Sequence, residues 1–197
     1  MAAILIPAII IADQILKLWV KSHMQIGEEI PIFGSWFCLH FIENAGFAFG
    51  MNFGYSAGKV ILTLIRIVGM AFFLWLLPRL IRKGHRTLLI FSLTLIIAGG
   101  VGNLIDSCFY GLIFNESFYN VATLFPPEGG YAPLFYGRVV DMFYFPLVSF
   151  DWPQWMPFIG GDHFVFFNAI FNIADSAITI GITLLIIDQL IIGQRKK

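Results

Sequence analysis

Apolar residues run almost unbroken through four stretches of the chain, residues 2–20, 57–77, 87–105 and 171–192. Each approaches the roughly 20 helical residues that a hydrocarbon layer requires, so each is predicted as a transmembrane helix. Asp13 and Lys17 interrupt the first, and no small-x-small cleavage site follows it. It therefore reads as a retained anchor and not a signal peptide. Between the helices lie two long connections, about 22–56 and 106–170, and one short link. Residues 28–50, EEIPIFGSWFCLHFIENAGFAFG, are rich in aromatic and β-forming residues punctuated by Gly and Pro. That pattern predicts short strands in a small sheet lying on the membrane surface. The second connection carries Trp152, Trp155 and a run of Phe and Pro. Trp and Tyr favour the headgroup layer, so this segment is predicted to rest in the interface, as a membrane-hugging loop or as a lid. The expected fold is an all-α membrane protein: four transmembrane helices, a small exported β-sheet and an exported interfacial loop, in one domain over residues 1–197.

Composition agrees with a membrane setting. Of the 197 residues 58% are apolar and 12% charged, against about 25% charged in a soluble domain. Mean hydropathy is +0.83. Formal net charge is zero, so no overall field points to nucleic acid. The positions of the charges say more. Arg79, Arg82, Lys83 and Arg86 crowd the short link, and Arg195, Lys196 and Lys197 end the chain, whereas the long connections hold only Arg138 among Lys and Arg. The positive-inside rule then places both termini in the cytoplasm and both long connections on the exported side. Cys38 and Cys108 would share that side, where a disulfide is possible, but no spacing motif argues for one and they are read as unpaired.

Ionisable groups inside a membrane are costly and mark a bundle interior, a partner or water. At about 1.5 Å per helical residue, Asp175 falls one turn inside the exported end of the fourth helix. Asp106 emerges at the exported end of the third. Asp13 lies near mid-membrane with Lys17 spaced for a same-face ion pair, which reads first as a lock between helices. Arg66, deep in the second helix, is a weak counter-ion candidate for Asp13, and Asp188 needs only interfacial water. Asp141, in GRVVDMFYF, sits in a segment that resembles a strand or a membrane-dipping stretch. Asp106, Asp141 and Asp175 are thus expected in one layer near the outer headgroups. Asn103 and Asn172 precede Asp106 and Asp175 by three, so each is expected to offer its carboxylate an amide on the same helix face. Gly99, Gly100 and Gly102 are expected to permit close helix approach.

Two carboxylates in one site do not easily both ionise; repulsion and desolvation leave them sharing a proton, the arrangement by which aspartic peptidases activate water. Other chemistries lack their residues. There is no HExxH, the four histidines are scattered, and neither a P-loop nor a GxSxG motif occurs, so neither metal nor cofactor is expected. From the residues alone two other classes stay open, a proton-coupled transporter and a noncatalytic assembly subunit with its acids as interhelical glue.

The segments DQILK (13–17), ENAGFAFG (43–50), GGVGNLID (99–106), VVDMF (139–143) and FNIADSAI (171–178), in this order, resemble the motifs of the lipoprotein signal peptidases, also called signal peptidase II. The resemblance implies an intramembrane aspartic peptidase of the bacterial cytoplasmic (inner) membrane. Such an enzyme removes the signal peptide of prolipoproteins by cutting before a cysteine that carries diacylglycerol. It implies Asp141 and Asp175 as the catalytic pair, with Asp13, Lys17, Asn44, Gly46, Asn103, Asp106, Asn172 and Ala174 supporting or lining the site. It also implies membrane lipid as surroundings, globomycin-type cyclic peptides as inhibitors and a monomer. Two departures stand out. The family usually has Arg where this chain has Ser107, and Arg138 is the candidate to supply that charge from elsewhere. The long stretch between Asp141 and Asp175 predicts an enlarged lid.

Overall fold

The computed structural model describes residues 1–46 and 55–195; Phe47–Gly50 of the second motif, and Lys196 and Lys197 of the basic tail, lie outside the described residues. Among these residues four helices are long and apolar enough to cross a membrane, Ala2–His23, Gly58–Arg82, Thr87–Ile113 and Ile173–Ile191. They belong to α1 (Ala2–His23), α2 (Tyr55–Arg82), α3 (Thr87–Ile105) with its continuation, and α5 (Ile173–Arg195). The bundle is apolar on its outside. Ile4, Ile11 and Ile15 of α1 are exposed, whereas Asp13, Lys17 and Lys21 are buried. That inversion suits a helix whose outer face meets lipid and whose polar groups must be satisfied within the protein.

The central helix is α3, which packs against α1, α2 and α5. Its glycines allow the contact with α5. A Cβ on Gly99 would lie 2.2 Å from the carbonyl oxygen of Ala174, so only hydrogen fits between these backbones. The third span is longer than the hydropathy pattern predicts. Past Ile105 the chain makes a π-helical turn over Asp106–Tyr110 and a last short helix, α4 (Gly111–Ile113). Asp106 therefore does not emerge at a helix end; it is fully buried, and Cys108 is buried with it inside the span. Cys38 and Cys108 are both free thiols.

Over one end of the bundle lies a four-stranded antiparallel sheet ordered β1 (Glu29–Phe33), β2 (Phe37–Asn44), β3 (Val139–Tyr144), β6 (Ile170–Phe171). Its underside packs Leu39, Phe41, Val140 and Met142 on Val20 and Met24 of α1 and on Tyr110 and Phe114. A separate hairpin, β4 (Val148–Asp151) with β5 (His163–Phe166), stands between β3 and β6 and exposes Trp155 and Phe158 at its tip. Asp188 departs from expectation: it is buried near Arg86, 3.4 Å away, and has no access to interfacial water.

Candidate active site

Alternation along β3 sets Asp141 on the strand face opposite its apolar neighbours. Val140 and Met142 point into the apolar core beneath the sheet, so Asp141 between them faces the other way, and it is only 2% exposed. Asp175 comes from the opposite direction, in the first turn of α5. Asn172, just ahead of that helix, accepts from the Asp175 N–H at 2.8 Å and returns its own N–H to Asp175 Oδ2 at 3.4 Å. This reciprocal cap satisfies two N–H groups that a helix start otherwise leaves unpaired, and the positive end of the helix dipole favours a carboxylate there. Asn172 is thus a cap and not a same-face helical neighbour of Asp175.

The same asparagine ties the two acids together. Its Nδ2 donates to Asp141 Oδ1 at 2.6 Å and lies 3.2 Å from both the Val140 carbonyl and Asn103 Oδ1. A second amide flanks each acid: Asn103 donates to Asp175 Oδ1 at 2.7 Å, and Asn44 to Asp141 Oδ2 at 3.3 Å. The Asn44 oxygen accepts from the Gly46 N–H at 2.7 Å, and Gly46 turns with a φ of +82°, which a side chain rarely tolerates. Asn103 therefore serves the acid on another helix and not Asp106, because Asp106 has partners of its own.

Those partners form a buried ion cluster behind the pair. The Lys17 ammonium lies 2.9 Å from Asp13, 2.8 Å from Asp106 and 2.8 Å from Asn103 Oδ1, three acceptors for three protons. Lys17, and not Arg66, is thus the counter-ion of Asp13. Each carboxylate also holds a backbone N–H. Asp106 Oδ2 accepts from Val140 at 3.2 Å, and Asp13 Oδ1 accepts from Ala174 at 2.9 Å, so the residue before each candidate acid is anchored to the same cluster. Gln14 completes it, donating to Asp106 Oδ1 at 2.9 Å. Space is short here: a Cβ on Gly102 would lie 2.9 Å from Asp13 Oδ2.

Burial pushes the Asp141 carboxyl up from 3.8 to about 7, and the nearby charge of Asp175 adds to the effect; the amides of Asn44 and Asn172 and the charge of Lys17 oppose it. A proton held on one acid while the other is ionised is the state that general acid–base chemistry on water needs.

Arg138 sits elsewhere. Its guanidinium lies 2.9 Å from Glu43 and 2.5 Å from Glu116, in a group that also includes Lys21 and Ser117. Burial would raise the Glu43 carboxyl, but Lys21, Arg138 and Ser117 hold it below its ordinary value. This group fastens the segment after α4 to β2 and α1. Arg138 is committed there, and the expectation that it replaces the missing charge at Ser107 is corrected. A cavity of about 180 Å³ lies beside it, lined by Ala45, Lys59, Tyr131 and Tyr136, and neither acid borders it. The arginine that does stand at Ser107 is Arg66 of α2, with Nη1 3.5 Å from Ser107 Oγ.

The arrangement therefore unites Asp13, Lys17, Asn44, Gly46, Asn103, Asp106, Asn172 and Ala174 around Asp141 and Asp175. Sequence reasoning missed Gln14, whose signal was its place inside DQILK, and the Lys21–Glu43 pair, whose partners lie far apart in the chain.

Comparison with known proteins accords with this geometry. The family model described as "Signal peptidase (SPase) II" matches residues 5–191. The chain belongs to the signal peptidase II family. Its relatives include a lipoprotein signal peptidase of Porphyromonas gingivalis, 51% identical over 94% of this chain and 80% of that protein. Another, from Amoebophilus asiaticus, is 37% identical over 91% of this chain and 73% of that protein. A solved bacterial membrane enzyme superposes with a TM-score of 0.62, covering 100% of this chain and 91% of its own at 23% identity, a likeness of fold. Signal peptidase II enzymes are aspartic peptidases that remove signal peptides from prolipoproteins, and the transporter and assembly-subunit readings find no support.

Proposed function

We propose that Asp141 and Asp175 are the catalytic pair of this signal peptidase II and that it cuts diacylglyceryl-modified prolipoproteins immediately before the lipidated cysteine. The observation that carries this is Asn172, which caps Asp175 and donates at 2.6 Å to Asp141, holding the two carboxylate-bearing segments against each other. One carboxylate, ionised, takes a proton from a water molecule. The other, protonated, donates to the scissile carbonyl, and the hydroxide adds to give a tetrahedral diol. The acids then exchange roles: the carboxylate formed by donation takes a diol proton as the C–N bond breaks, and the other proton goes to the leaving amine. The ion cluster of Asp13, Lys17 and Asp106 keeps both acids in position through the Val140 and Ala174 N–H groups.

The basic residues of the short link support a topology with both termini cytoplasmic and the sheet end exported, in the bacterial inner membrane. In that setting the pair meets the outer end of a membrane-spanning signal helix, and the lipid chains of the substrate enter sideways from the bilayer. Residues 1–197 act as one peptidase domain and as a monomer, with globomycin-type cyclic peptides competing for the cleft between the acids. The test mixes purified protein with a diacylglyceryl prolipoprotein and its unlipidated twin, with and without globomycin. Cleavage of the lipidated form alone, blocked by the antibiotic and absent in Asp141→Asn and Asp175→Asn, is the expected result. Cleavage by either variant near the wild-type rate refutes the assignment.

A further inference from the structure

An arginine within a membrane span ordinarily has a carboxylate partner or an aqueous cavity. Arg66 has no carboxylate within ion-pair distance among the described residues. Among the described residues its one hydrogen bond is the 3.5 Å contact with Ser107 Oγ, a hydroxyl that itself donates to the Asn103 carbonyl at 3.0 Å. Arg66 is half-buried, and most of its donors have no partner among the described residues.

Its surroundings are those of the acid pair. On one side is Ser107, one turn from Asn103, which holds Asp175. On the other is Gly46, where a Cβ would lie 3.2 Å from Nη2 and 3.3 Å from Nη1. Gly46 is bonded to Asn44, which holds Asp141. The guanidinium therefore stands between the segments whose asparagines, Asn103 and Asn44, bond the two acids. A side chain at position 46 would crowd the guanidinium.

We infer that Arg66 is a substrate-binding residue of this peptidase, its guanidinium reaching from α2 past Ser107 and Gly46 to donate to backbone carbonyl oxygens of the bound signal peptide. The inference rests on the proposed peptidase reading. A planar fork with several fixed donors suits carbonyl oxygens in a row, and a peptide backbone presents them whatever its side chains. Substrate binding would supply acceptors that the described residues do not offer.

The experiment measures kcat and KM on a diacylglyceryl prolipoprotein for the full chain in lipid nanodiscs, as wild type, Arg66→Ala, Arg66→Lys, Ser107→Arg and the double variant Arg66→Ala/Ser107→Arg. Unfolding temperatures are recorded for all five. A charge-assisted hydrogen bond lost from substrate corresponds to roughly a 10- to 100-fold fall in kcat/KM. That fall is expected in Arg66→Ala at an unchanged unfolding temperature, with partial activity in Arg66→Lys. Returning a guanidinium to the same place from the π-helical turn after α3, in the double variant, is expected to recover at least tenfold. An Arg66→Ala enzyme within threefold of wild type overturns the inference, as does a loss that Ser107→Arg leaves unrepaired. A wild-type protein that fails to cleave the lipidated substrate would instead refute the peptidase reading, before any Arg66 variant is compared.

Discussion

Replacing Asp141 by Asn separates the charge of the acid pair from its shape. In the native protein the Asp141 carboxyl titrates near 7 instead of 3.8, because burial and then the Asp175 charge oppose its ionisation. At about 1.4 kcal/mol for each pH unit, that difference corresponds to about 4 kcal/mol. Asp141 is only 2% exposed, so solvent screening does little to reduce this figure. The sign is fixed by which state holds the proton. Between pH 4 and 7 the unfolded chain has released it and the native protein has not, so the native state binds more protons there. This contribution to stability is full below pH 4 and is lost as pH rises to about 7. Asn cannot ionise and lacks that slope. It does present one NH₂ where Asn44 and Asn172 now find acceptors, a penalty of about 1–3 kcal/mol that does not vary with pH. Chemical unfolding of both proteins in the same micelles from pH 4 to 8 reads the difference directly. The variant is expected to gain on the wild type by up to about 4 kcal/mol across that range. Stability curves that run parallel through this window would show that Asp141 carries no raised proton affinity, and the shared-proton mechanism would lose its basis.

The same proton sets the rate: kcat/KM is expected to fall as pH rises through about 7, when Asp141 gives up the proton the mechanism requires, and a profile flat to pH 9 would contradict this. Lys17→Met leaves Asp13 and Asp106 buried without a cation and should lower stability by about 3–5 kcal/mol, read as the unfolding midpoint in detergent. Gly99→Ala drives a methyl group onto the Ala174 carbonyl, should cost about 1–3 kcal/mol or more, and should slow turnover by displacing the start of α5. Arg138→Ala should lower the unfolding temperature by removing the partners of Glu43 and Glu116, while turnover per folded molecule stays within threefold of wild type.

The four spans were legible because lipid imposes length and composition on each helix separately. The small sheet was legible in the aromatic, Gly-punctuated run of residues 28–50, and β3 in the apolar flanks of Asp141. What alternation could not reveal was the π-helical turn at Asp106. It keeps the third span going while its carboxylate turns inward to Lys17 and Gln14, and no local residue signals it. The acids themselves were conspicuous, since a carboxylate in an apolar run demands an explanation. Their partners were harder to read. Same-face spacing paired Asn103 with Asp106, but the geometry gives Asn103 to Asp175, because the close approach of α3 to α5 through Gly99 makes the distant partner nearer. Arg138 was the candidate for the charge missing at Ser107 because it lies three residues before Asp141, whereas helix packing brings Arg66 to Ser107 and pairs Arg138 with Glu43 and Glu116.

A buried ion cluster is a poor source of stability, since desolvation offsets most of the attraction and apolar residues of the same volume often do as well. Stability alone therefore does not account for Lys17 and its two carboxylates. Their second set of bonds does. Asp106 holds the N–H of the residue before Asp141, and Asp13 holds the N–H of the residue before Asp175, so one ammonium adds a further tie between a strand and a helix start that Asn172 and the β3–β6 pairing already join. An apolar replacement would pack equally well yet leave the Val140 and Ala174 N–H groups without these acceptors and loosen both backbones. Two acids that must grip one water molecule and one carbonyl tolerate such a shift badly, because a misplacement of about 1 Å can cost about 100-fold in rate. The cluster is thus best understood as an alignment device of the site, in which each carboxylate holds both Lys17 and a backbone N–H.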